Sequence, residues 1–428
     1  MTPSYKAFIF KSYNFDKQNK RLELVYSYDN KLTFTESFTF DFEYANYDEK
    51  VLDQAIQLLF FLAGISYYKA YIPQTIIIEK GEIDKKLQDF LQQTYQKGLG
   101  EFWYVNNLDP KTKVTFPTTM DSTKPNLNNE GDGLLVGVGG GKDSLVTIEM
   151  LRNVAPVTTW SVGHQKQLQK LVDTVDLPHL WVQREWDKQL LDLPSAYNGH
   201  IPISAILAAA GAVVAVLSGK KDVVVSNEQS ANEDTLMYQG VSINHQYSKS
   251  QEFEISFQQI LKHYFGDSLR YYSFLRPISE LKICELFAKN GFLKYQNVFS
   301  SCNRAFVHTS DSISWCGQCA KCAFIYLALS MFVPESELNV LWQGKNLLLD
   351  DSLTSTYKEL LGIADNKPLD CVGEIAESRV AMQATFKRHP ELKEKYQFDA
   401  PDYDYAKIAG HSMPAEIYEI FKKQLSTI

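Results

Sequence analysis

The stretch Gly139-Gly140-Gly141-Lys142-Asp143-Ser144 combines residue types that suit a phosphate group. Glycines let a backbone approach phosphate oxygens with no Cβ in the way. A helix that begins here offers unpaired N–H groups and the positive end of its dipole. Lys142 could add a charge contact and Ser144 a hydroxyl donor. Asp143 would repel phosphate unless it caps the helix or holds a cation, which makes Mg²⁺ a natural companion. Two common nucleotide fingerprints fail on this stretch. Counting G-x-G-x-x-G from Gly137 and Gly139 puts Lys142 where the third glycine belongs, and Asp143 stands where Walker A needs Ser or Thr.

Four of the six cysteines, Cys302, Cys316, Cys319 and Cys322, are spaced C-x13-C-x2-C-x2-C. Thiolates three residues apart on a turn can face one ion, and four of them close a tetrahedral Zn²⁺ site. Such a site has no open position, so its expected role is structural. Buried thiols that happen to cluster are the plainer alternative. Cys284 falls on a helical segment and is expected in the core, while Cys371 sits in a glycine-containing loop, LDCVGE.

Further polar groups follow later apolar runs. DVVV leads into SNEQSANED (226–234), with Asn227 and Glu228 placed at the end of a strand. VSINHQYSKS carries His245, Tyr247, Lys249 and Ser250, a set able to grip phosphate or carboxylate, although a single loop histidine is usually just solvated. Arg276 ends the run YYSFLRP and suits pyrophosphate or a substrate carboxylate. His200 precedes a buried helix.

These residues need a scaffold that delivers them to one edge. From 134 to about 332, short apolar strands alternate with helical segments, the pattern of a parallel sheet with helices on both faces. Ligands in such α/β folds bind beyond the carboxyl ends of the strands. Residues 1–108 alternate apolar and polar and then turn helical, an N-terminal α+β domain. Residues 109–133 read as a linker and 333–428 as a mixed C-terminal region. The apolar run 203–217, rich in alanine, is too short to span a bilayer and suits a closely packed helix. With a net charge of −8 and 45% hydrophobic residues, the chain reads as a globular protein without a field for nucleic acid. No signal peptide is evident, so a cytoplasmic protein with no membrane partner is expected.

GGGKDS resembles the pyrophosphate loop of the PP-loop ATP pyrophosphatases, S-G-G-x-D-S, with Gly139 in place of the first serine. The four-cysteine pattern resembles the zinc site of the 7-cyano-7-deazaguanine synthases. Together with NEQSANE, NHQYSKS, SSCNRAF and WCGQCAKC, the chain resembles the UDP-N-acetylmuramoyl-L-alanyl-L-glutamate epimerases, from the N-terminal unit through DCVGE. The resemblance implies ATP cleavage to AMP and pyrophosphate, adenylation of the terminal glutamyl carboxylate of a UDP-linked muramoyl dipeptide, and inversion of its α-carbon. Gly139, Gly140, Gly141, Lys142, Asp143 and Ser144 would then hold phosphates with Mg²⁺, joined by Asn227 and Arg276. Proton transfer would fall to a shortlist of Glu228, His245, Tyr247 and Lys249. Two rival expectations are a PP-loop enzyme that adenylates a nucleobase or tRNA, and an ATP sensor without turnover.

Overall fold

Strand alternation decides which core each residue joins. In the computed structural model, which describes residues 5–121, 127–306, 313–364 and 366–427, one sheet of nine strands runs through the molecule. Residues 122–126 of the expected linker and 307–312 within the cysteine-rich stretch lie outside the described residues. The strands are β1 (Ala7–Asp16), β2 (Arg21–Tyr28), β3 (Leu32–Phe40), β4 (Thr75–Ile78), β5 (Leu134–Gly137), β6 (Val157–Val162), β7 (His179–Glu185), β8 (Asp222–Val225) and β11 (Arg270–Ser273). A separate hairpin is formed by β9 (Leu236–Tyr238) and β10 (Val241–Ile243). The order across the sheet is β11-β8-β5-β6-β7-β3-β2-β1-β4. The five strands from β11 to β7 are parallel, β7 meets β3 antiparallel, and β3, β2 and β1 continue antiparallel.

The expected α/β class holds, with helices on both faces of the sheet. Successive side chains on a strand point to opposite faces. Val223 of β8 and Tyr271 of β11 therefore join the core that holds the helices Glu49–Ala63, Ile203–Leu217 and Gln251–Phe265. Their neighbours Val224 and Tyr272 join the second core, with the helices Lys142–Leu151, Glu280–Asn290 and Ala320–Leu329. The alanine-rich helix Ile203–Leu217 lies close to the sheet because Gly211 permits it. A Cβ there would stand 2.7 Å from Val223 Cγ1 and 3.0 Å from Trp160 Cζ2. The helical stretch Glu49–Tyr68 is long and apolar enough to cross a bilayer, yet nearly all of it is buried inside the protein, as in a core helix.

The sheet continues across the boundary expected between the N-terminal and nucleotide-binding parts. At the β3–β7 seam Arg184 Nε donates to Glu36 Oε1 at 2.6 Å, and Glu36 is fully buried. The C-terminal region also folds back. Phe421 packs against Phe274 beyond β11 with ring centroids 5.4 Å apart, and Glu416 pairs with Arg270 of that strand. This return path brings the loop carrying Cys371 to the polar edge of the sheet, against Lys249.

Candidate functional site

β5 ends at Gly137, and the chain turns through Gly139–Gly141 into the helix Lys142–Leu151. Gly140 has φ +91°, which a side chain would strain. A Cβ on Gly141 would stand 2.8 Å from Ser301 Oγ, whereas one on Gly139 would meet nothing within 4 Å. Gly139 faces open space because the turn borders a cavity of about 240 Å³ beyond the carboxyl ends of β5, β6 and β8. Trp160, Leu168, Leu207 and Phe306 give this cavity apolar walls, and Asn227 contributes a polar one. The Trp160 Nε1 is buried with no hydrogen-bond partner among the described residues. A flat heteroaromatic ring beside a phosphate chain fits such walls, and the unspent indole N–H offers it a donor.

The carboxylates of Asp143, Glu228 and Glu280 lie within 4.8 Å of one another at the start of this helix. Lys142 is fully buried and turned inward, donating to Asp143 and Glu280, and Lys321 reaches Glu280 at 3.4 Å. Burial alone would raise the Glu280 carboxyl, but Lys142 and Lys321 outweigh it and hold Glu280 ionised. Asp143 is pushed up by burial and by Glu280 and Glu228, against the pull of Lys142 and Lys321. Crowded carboxylates of this kind favour a divalent cation; Glu280 pairs with both lysines, Asp143 with Lys142 alone, and Glu228 with neither.

A second polar group adjoins the first through Lys249, whose charge is felt by Cys371, Glu228 and Asp143. Lys249 Nζ lies 3.1 Å from Cys371 Sγ, and His245 Nε2 lies 3.9 Å from the same sulfur. The other ring nitrogen of His245 pairs with Glu101, which also lies 3.3 Å from His200 Nδ1. Glu101 comes from the short helix Gly100–Val105, His200 from the loop before Ile203, and His245 and Lys249 from the loop after β10. Burial would lower His245, but hydrogen bonds to Cys371 and Glu101 raise it to about 9. Burial lowers His200 to about 4. Burial would raise Cys371, but Lys249 above all, with His245 and Lys321, brings it down to about 7. A partly ionised thiol is thus held between two cations.

The four clustered cysteines meet as well. Their sulfurs lie within 4.8 Å of one another, with Cys302 and Cys319 at 3.9 Å and Cys316 and Cys322 at 3.8 Å. A tetrahedron with Zn–S bonds of about 2.3 Å has edges of about 3.8 Å, so the donor set fits Zn²⁺. The cluster braces the glycine turn, because Ser300 N donates to Gly140 O at 3.0 Å two residues before Cys302.

Comparison with known proteins decides the family. Residues 1–274 match the MurL N-terminal domain and residues 298–409 the MurL C-terminal domain. The chain belongs to the MurL family. A MurL relative from Xanthomonas oryzae pv. oryzae, named UDP-N-acetyl-alpha-D-muramoyl-L-alanyl-L-glutamate epimerase, is 38% identical over 89% of this chain and 85% of its own length. Relatives of the same name from Salinispora tropica and a Micromonospora species are 36% and 35% identical, each over 88% of this chain and over 84% and 86% of their own lengths.

Within this MurL fold, several expected ligand contacts are spent elsewhere. Arg276 is fully buried, and its guanidinium donates to Glu254 at 2.9 Å, to Glu228 O at 2.7 Å and to Lys249 O. It ties together the loops that carry Glu228 and Lys249 and does not reach outward to a phosphate. Lys142 is likewise an internal ion-pair partner and not an exposed phosphate contact. Ser144 Oγ donates to Gly141 O at 3.1 Å and holds the turn. Tyr247 is buried in the first core and packs on Phe253, so it leaves the proton-transfer shortlist. Lys249 is raised, since Cys371 and Glu228 outweigh its burial, and it stays protonated and cannot serve as a base. His245 is not the solvated loop histidine that isolated reading suggests. Cys284 is in the core, as expected. Sequence reading missed Glu101, which lies far from any motif and whose only signal is its position at the start of a short helix.

Proposed function

We propose that this chain is an ATP-dependent epimerase of the PP-loop type that acts on UDP-N-acetylmuramoyl-L-alanyl-L-glutamate. The reading rests on membership of the MurL family and, above all, on the triple-glycine turn at the mouth of a cavity beside Asp143 and Glu228. The α-carboxylate of the terminal glutamyl residue attacks the α-phosphorus of ATP. One P–O bond forms, the bond to the β-phosphate breaks, and pyrophosphate leaves. Esterification removes the carboxylate charge that opposes loss of the α-proton. The proton then leaves from one face and another arrives on the opposite face, and water releases AMP and the D-glutamyl product.

In this account the backbone of Gly139–Gly141 and the first turn of the helix at Lys142 cradle the outer phosphates. Trp160 and Phe306, which line the cavity, would flank the adenine, with Asn227 able to reach its edge. Asp143 and Glu228 are the residues that would hold Mg²⁺, which when bound offsets charge on the phosphates. Cys302, Cys316, Cys319 and Cys322 would hold Zn²⁺, whose contribution there is structural.

The test is an incubation with ATP, Mg²⁺ and the L-glutamyl substrate in deuterated water, followed by chiral analysis and mass spectrometry of the released glutamate. Inverted, deuterium-labelled product formed together with AMP and pyrophosphate supports the reading. Inversion at full rate without nucleotide overturns it.

A further inference from the structure

The adenylation half of this reaction has a home beside the glycine turn, and the proton-transfer half needs one within reach of it. The loop 300–306 connects the two places. Ser300 N bonds Gly140 O at 3.0 Å, and Asn303 donates to Asp370, the residue before Cys371. The Cys371 sulfur is therefore one loop away from the phosphate cradle. Electrostatics draws the same connection, since the Lys321 that pairs with Glu280 also acts on Cys371.

Cys371 differs from an ordinary loop cysteine in its company. It is half-buried, with a lysine ammonium 3.1 Å from sulfur and an imidazole 3.9 Å away that is backed by a carboxylate. A buried apolar thiol stays protonated, whereas one facing Lys⁺ and a carboxylate-backed histidine is available as a base. Lys249 is held in place from behind, because its carbonyl accepts from the buried guanidinium of Arg276. The imidazolium, anchored by Glu101, and the ammonium of Lys249 together face the negative charge of the sulfur.

The geometry points to Cys371 as the group that takes the α-proton of the activated glutamyl residue, with His245 and Lys249 as the cations that face its sulfur and Glu101 positioning the histidine. This rests on the adenylating reading above. In the step, the Cα–H bond breaks, its electron pair moves into the enolate of the activated acyl group, and the proton bonds to Sγ. A proton from water on the opposite face completes the inversion. The thiol then gives its proton to the hydroxide left by that water.

The experiment compares wild type with Cys371→Ser in deuterated water, measuring pyrophosphate release, deuterium at the glutamyl α-carbon and epimer ratio in the same samples. Positioned acid–base groups contribute about 10²–10⁴-fold. Cys371→Ser is expected to keep substrate-dependent pyrophosphate release while exchange and inversion fall by about 10²-fold or more. Exchange near the wild-type rate overturns the assignment to Cys371. Absence of pyrophosphate release in wild type strikes the adenylating reading instead, so the two failures are distinguishable. Should the serine variant fold poorly, wild type alkylated at Cys371 by iodoacetamide, with the site fixed by peptide mapping, serves the same purpose. Retained pyrophosphate release with lost exchange supports the proposal, and unchanged exchange overturns it. A covalent glutamyl adduct on Cys371, detected by intact mass, would also overturn it in favour of acyl transfer to sulfur.

Discussion

Two groups of sulfur meet at the loop 300–306, which carries Cys302 and bonds through Asn303 to Asp370, and they face opposite environments. At Cys302, Cys316, Cys319 and Cys322 each thiol faces other thiols, at spacings that match the edges of a zinc tetrahedron. At Cys371 a single thiol faces an ammonium and an imidazole. The first arrangement, holding one ion, would use all its donors and leave none for substrate. The second leaves a sulfur lone pair next to groups that favour its ionised form. Residue type is the same in both, and the neighbours decide between scaffold and chemistry.

The largest expected effect separates the two groups outright. Cys319→Ser should reduce zinc from about one ion per chain to a small fraction and lower the yield of folded protein, because structural zinc contributes directly to folding. Cys371→Ser should leave zinc content close to wild type and lower the thermal midpoint far less than Cys319→Ser does. Metal analysis and a melting curve on both variants check this, and equal damage from the two would dissolve the distinction.

Next in size is Asp143→Ala. It should abolish substrate-dependent AMP formation while zinc content and alkylation of Cys371 persist, since neither sulfur group needs that carboxylate. Full AMP formation in this variant would remove the glycine turn from the chemistry. Arg276→Met should cost about 3–5 kcal/mol in a denaturant titration, because it leaves Glu254 buried without its partner. It should also loosen both the Glu228 and Lys249 loops, and an unchanged midpoint would contradict the positioning role.

The pH dependence distinguishes the sulfur groups more gently. Cys371 is depressed to about 7, so its ionised form adds stability above the ordinary thiol range, and that contribution is lost as pH falls through 7. His245 is raised to about 9, so its protonated form adds stability that is complete below about 6.5 and is lost as pH rises through 9. The melting-temperature advantage of wild type over Cys371→Ser should accordingly be smallest below pH 6, grow through pH 7 and shrink again above pH 9. A flat difference across this range would show that sulfur and imidazole are not coupled.

The glycine turn, the parallel strands and the gathering of the four cysteines were legible in the sequence because each is local. Glycines adjoin the strand they end, and three of the four cysteines lie within a single turn and helix start. The Cys371 group was legible only in pieces. His245 and Lys249 stood out, but the contacts of Glu101 with His245 and of Lys249 with Cys371 span 144 and 122 residues. No periodicity carries such pairings. Arg276 misled for a different reason: a guanidinium with five donors at a strand end suits a phosphate, and it suits two backbone carbonyls and a buried glutamate equally well. The joining of the N-terminal strands to the parallel sheet depends on the β3–β7 pairing, which the expected boundary at 109–133 gave no reason to anticipate.

The smallest effect expected is that of Gly139→Ser. With nothing within 4 Å of the added Cβ, stability should change by less than about 0.5 kcal/mol, and the new hydroxyl would face the cavity. A large loss of stability would mean that the turn is packed closed.

The central claim, that the glutamyl carboxylate itself attacks ATP, is tested most directly with substrate carrying ¹⁸O in its α-carboxylate. Mass spectrometry of the AMP formed in turnover should find one labelled oxygen, left behind when water cleaves the acyl–oxygen bond. Unlabelled AMP accompanying inverted product would contradict the account.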